Sequence, residues 1–77
     1  MSPHIDPLYS KWVRAVAAYQ LAQANTLKAP TTEQIQRLIE AREHMRAAAI
    51  EAENSPFYHL VKSDIKRIGL TAIVTKT

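Results

Sequence analysis

The chain is punctuated at three places, Asp6-Pro7, Ala29-Pro30-Thr31-Thr32 and Asn54-Ser55-Pro56, and each reads as the start of a helix. Proline is favoured in the first helical turn, where its missing N–H would have no partner, and Asp, Thr or Ser just ahead can accept the free amides. Thr31 and Gln34 stand at capping-box spacing, and Ser55-Pro56 reads as an N-cap followed by proline at the first helical position. A single glycine, Gly69, occurs among 77 residues. That scarcity argues against an all-β chain of tight hairpins and excludes Gly-rich phosphate loops. The expected fold is all-α: an antiparallel helical hairpin (about 7–27 and 32–53), a shorter third helix (about 56–68) and a C-terminal tail, in one small domain over 1–77.

Apolar periodicity agrees with this division. A rotation of about 100° per residue puts Leu8, Trp12, Val16, Tyr19 and Leu27 on one face of the first helix and Lys11, Arg14, Asn25 and Lys28 opposite. Leu21 falls among the polar residues. In the second helix Ile35, Leu38, position 42, Met45, Ala49 and Ala52 follow a 3-4 spacing suited to an antiparallel partner, and Ala41, Ala48, Ala49 and Ala52 leave room for close approach. The third helix offers Phe57, Val61, Ile65 and Ile68, with Leu60 alongside, and Gly69 suits the left-handed conformation that closes a helix. Leu70–Thr77 is β-branched and uncharged until Lys76. A lone strand has no ladder in a helical chain, so this tail is expected to be irregular or paired with something outside the monomer.

A Trp-bearing first helix, a proline-containing connection and a long second helix, over roughly residues 7–53, resemble the hairpin subunits and small hairpin chaperones of bacterial secretion machines. The likeness is one of architecture, and no residue role follows from it.

Catalysis finds no footing in the residues. The absence of cysteine removes thiolate metal sites, iron–sulfur clusters and thiol nucleophiles. His4, His44 and His59 are far apart and form no HExxH pair, and no serine stands in a nucleophile elbow. The expectation is a non-enzymatic protein with neither cofactor nor metal. No apolar run approaches the ~18 residues of a membrane span, and Met-Ser-Pro-His-Ile-Asp-Pro lacks the basic and apolar segments of a signal peptide. A soluble cytoplasmic protein is expected.

So short a chain has a marginal core, and with no disulfide it must rely on close helix packing or on assembly with itself or a partner. Its helical faces are its main asset, which points to protein–protein binding as an inhibitor, adaptor or assembly subunit. Arg42, Leu21, Tyr9 and Tyr58 are the candidate contact residues. Arg42 interrupts the apolar seam, so its guanidinium needs a partner such as Asp64, an exit to water, or a place in a partner surface. Leu21, Ile39 and Ile50 fall off the stripes, and Tyr9 and Tyr58 lie at the edges of theirs.

The alternative is nucleic-acid binding. Six Lys/Arg and six acids balance over residues 1–54, so the segment 55–77 carries the whole net charge of +3. His59, Lys62 and Lys66, with Arg67 nearby, form a basic stripe on which a phosphate backbone can lie. Helix-turn-helix geometry fits poorly, because the second helix is about twice too long and the 53–56 connection has no Gly. A membrane-surface role is disfavoured, since the apolar face of the third helix is needed for the core.

Overall fold

The computed structural model describes residues 5–68. Three α-helices follow one another: α1 over Pro7–Lys28, α2 over Thr32–Glu51 and α3 over Tyr58–Ile68, with a 3-10 turn at Ala52–Asn54 between the last two. No strand occurs among the described residues. The architecture is the expected one, a long hairpin with a shorter third helix. Gly69 and the tail Leu70–Thr77, with the expected glycine closure and external pairing, lie outside the described residues.

Local side-chain chemistry sets the helix starts. Asp6 caps α1, its carboxylate accepting from the Tyr9 amide at 2.9 Å with Pro7 in the first turn. Thr31 caps α2 through its hydroxyl, which accepts from the Gln34 amide at 3.1 Å. The returning half of that capping box is absent. The Thr31 amide donates to the Ala29 carbonyl at 2.7 Å, and the Gln34 side-chain oxygen is buried with no hydrogen-bond partner among the described residues. α3 begins at Tyr58, two residues later than Ser55-Pro56 suggests. The reason is that Ser55 makes a turn of its own, its hydroxyl accepting from the Phe57 amide at 3.0 Å and its carbonyl from the Tyr58 amide at 3.1 Å.

α1 and α2 pack along matching stripes. On α1 the residues toward α2 are Leu8, Trp12, Ala15, Tyr19, Ala22 and Thr26; on α2 they are Gln34, Leu38, Ala41, Met45, Ala48 and Ala52. Both run at alternating steps of four and three, the spacing that keeps two helices in register. Two contacts mark that register: Lys11 Nζ to Glu51 at 2.7 Å toward one end, and at the other the Thr26 hydroxyl, which donates to the Ala22 carbonyl of its own helix at 2.8 Å and lies 3.3 Å from the Gln34 carbonyl. This corrects the expected seam. The stripe through Ile35 and Arg42 does not face α1; alanines do, because a helix approaches most closely where side chains are shortest. Of the expected seam, Leu38, Met45 and Ala52 keep to the α1 side, while Ile35, Arg42 and Ala49 turn toward the side on which α3 packs.

α3 seals one end of the hairpin. Val61 and Ile65 complete a core with Trp12, Met45, Ala48, Ala49 and Ala52, in which Trp12, Met45 and Val61 are at most 1% exposed. Two tertiary hydrogen bonds hold α3 in place. The Trp12 indole N–H donates to Asp64 at 3.1 Å, and the buried Ser55 hydroxyl donates at 2.7 Å to the carboxylate oxygen of Asp6 that also caps α1. The Tyr9 and Phe57 rings meet at 6.3 Å between centroids. Asp64 thus spends its oxygens on Trp12 and on Arg67, at 2.8 Å, so the anticipated Arg42–Asp64 pair does not form. Arg42 is exposed instead.

Candidate functional site

The lengths of the helices create the site. α1 has 22 residues and α3 has 11. At 1.5 Å per residue these are rods of about 33 Å and about 16 Å. Asp64 and Arg67 line a groove with Val16, Ala17 and Gln20, so the last turn of α3 comes level with the middle of α1. Two further turns of the hairpin, as far as Lys28, extend beyond it.

Turning each helix by about 100° per residue from its core positions shows what the half beyond the described residues of α3 presents. Leu38, Arg42 and Ile35 of α2 continue the side on which Ala49 meets α3. Gln23 and Leu27 of α1 continue the side on which Val16 meets it. Leu27 is 84% exposed and Ile35 45%, while Ile39, 50% exposed, lies on the outer face of α2. Leu38 is half-buried at the floor. The register set by Lys11–Glu51 and Thr26–Gln34 places Arg42 level with Tyr19 and Gln20, at the point where α3 stops. Arg42 makes no ion pair among the described residues. Glu33 and Glu40 fall on other faces of α2, and Arg46, one turn from Arg42 on the same side, is 3.9 Å from Glu43.

The remaining candidates are dispersed. Leu21 is 64% exposed but stands on the outer face of α1, half a turn away from Trp12 and apart from Leu27. Tyr9 and Tyr58 are half-buried against the core at the sealed end, and Lys62 Nζ lies 5.9 Å from the centre of the Tyr58 ring. His59, Lys62, Lys66 and Arg67 are exposed, with Arg67 paired to Asp64. Arg42 thus shares a side of the hairpin with Leu27 and Ile35, whereas Ile39, Leu21, Tyr9 and Tyr58 lie elsewhere. Periodicity had assigned Leu27 and Ile35 to the core. The signal for their exposure was the short third helix, too brief to cover both arms of the hairpin.

On the opposite side of the hairpin an open groove of about 460 Å³ has a floor of alanines, including Ala15, Ala18 and Ala41, under Lys11, Arg14 and His44. Lys11 is paired with Glu51 across it. Among the described residues no three His, Asp or Glu side chains gather as metal ligands, and no helix is long and apolar enough to cross a membrane. No protein-family model, curated protein or solved structure matches the chain.

Proposed function

We propose that this protein is a non-enzymatic helical module that binds another protein, as an inhibitor, adaptor or assembly subunit, through the open half of its hairpin. The observation that supports the reading is the exposure of Leu27 and Ile35, on the same side of the hairpin beyond the described residues of α3. Burying a large aliphatic side chain is worth roughly 1.5–3 kcal/mol. A chain with so small a core that leaves several of them in water on one face has an apolar surface ready for a partner.

Photo-crosslinking in the native host tests the reading. A benzophenone side chain at Leu27 is expected to give a discrete adduct heavier than the chain, while the same group at Ala18, on the opposite groove, gives none. Adducts at both positions alike, or at neither, would overturn it.

Nucleic-acid binding through His59, Lys62, Lys66 and Arg67 has less support. Lys62 lies over Tyr58 and Arg67 is held by Asp64, which leaves His59 and Lys66 as the members of the stripe with no partner among the described residues. A gel shift at low salt that disappears on changing Lys62, Lys66 and Arg67 to Ala would favour it.

A further inference from the structure

We propose that residues 70–74 of this chain cover the side of the hairpin that carries Leu27 and Ile35, so that a partner protein reaches this side only by displacing them. The second half of the statement rests on the protein-binding reading above and names how that site is regulated.

The first argument is direction and reach. The chain enters α3 at the sealed end, where Phe57 meets Tyr9, and the last turn of α3 lies level with Gln20. It therefore leaves Ile68 heading for the loop end of the hairpin. Leu27 stands seven residues beyond Gln20 on α1, about 10 Å away. Nine residues follow Ile68 in the sequence. A stretch of that length spans about 13 Å wound as a helix and up to roughly 30 Å drawn out, so reach does not limit the contact.

The second argument is chemistry. Leu70, Ala72, Ile73 and Val74 are apolar, and the first charge after Arg67 is Lys76. The side of the hairpin ahead of α3 carries Leu27, 84% exposed, and Ile35, 45% exposed, with Leu38 half-buried between the helices. Laying the one set over the other removes both from water. Arg42 and Ile35 stand where α3 meets Ala49, so the ground beyond α3 is higher. It suits side chains laid across it better than a second helix sunk between α1 and α2. The segment is also tethered, which gives it an effective concentration on the order of millimolar at this side, and a free partner has to compete with that.

Methyl NMR on the full, unsubstituted chain tests the contact. Nuclear Overhauser contacts are expected from Ile35 and Leu27 to Ile73 and Val74. Their absence overturns the proposal, and so do contacts from Ile73 and Val74 to Val13 and Val16, which line the groove on the other flank of α3. Contacts seen only between differently labelled chains overturn it as well, because the occupant is then a second copy. Displacement is tested in the native host with a benzophenone side chain at Leu27. Changing Ile73→Asp and Val74→Asp together should raise the yield of the heavier adduct at least threefold, with the helical circular dichroism of the parent retained. Ile73→Ser with Val74→Ser, which adds no charge, should act in the same direction. An unchanged yield in both variants overturns the displacement. No adduct in any of the three chains removes the protein-binding reading, while the methyl contacts still decide whether the segment covers Leu27 and Ile35.

Discussion

The two halves of the hairpin are built from the same two helices and the same alternation of steps, yet they differ in almost every property that packing can give. At the end near Glu51 the seam contains Trp12 and Met45, both inaccessible to water, and Val61 and Ile65 close over them. Two side-chain hydrogen bonds between elements far apart in sequence tie that end together. At the loop end the seam contains Ala22, Thr26 and Gln34, and the Gln34 side-chain oxygen is buried without a donor among the described residues. The difference teaches that heptad spacing aligns helices but does not by itself make a core. Two helices enclose only the line between them, and excluding water from a large side chain takes a third surface.

The sharpest way to break this comparison is to truncate one large residue in each half. Trp12→Ala should cost about 3–5 kcal/mol, enough to unfold a chain of this size. Leu27→Ala should shift stability by no more than about 0.5 kcal/mol. Thermal melts followed by circular dichroism measure both, and similar losses at the two positions would mean that the halves are not energetically distinct.

A smaller effect isolates the contribution of the third helix. Val61→Ala should destabilise by about 1.5–3 kcal/mol and should raise amide hydrogen exchange in α3 and around Trp12 more than near Leu27. Uniform acceleration along the whole hairpin would show instead that the halves fold as one unit.

Asp64→Ala comes next. It strands the Trp12 indole N–H, a loss of about 1–3 kcal/mol, and should shift tryptophan emission to the red as water reaches the ring edge. Asp64→Asn keeps an acceptor there and should recover most of that shift. The opposite sign is expected at the loop end, where Gln34→Leu replaces an unsatisfied oxygen with an apolar group. A gain of about 1 kcal/mol in the melt would identify that polar contact as a weakness of the open half.

Much of the fold was legible in the residues. Asp6-Pro7 and Thr31 begin their helices as their chemistry dictates, and the 3.6-residue period put Trp12, Met45, Val61 and Ile65 inside. Less of the site was legible. Arg42 was recognised as out of place in an apolar stripe, but its isolation from Asp64 was not, because the Trp12 indole and Arg67 claim that carboxylate first. Leu27 and Ile35 were assigned to the core because periodicity reports which side of a helix is apolar without reporting whether anything lies there.

That distinction divides what each level of description decides. Local rules, acting within a few residues, determined the number of helices, their approximate ends and the apolar side of each. Only the tertiary structure decided which side of α2 would meet α1 and how far along the groove α3 would reach. Both depend on how closely particular side chains let two backbones approach: the alanine row admits a helix where Ile35 and Arg42 do not, so the larger apolar stripe was left to a third helix that is half as long as the groove it enters.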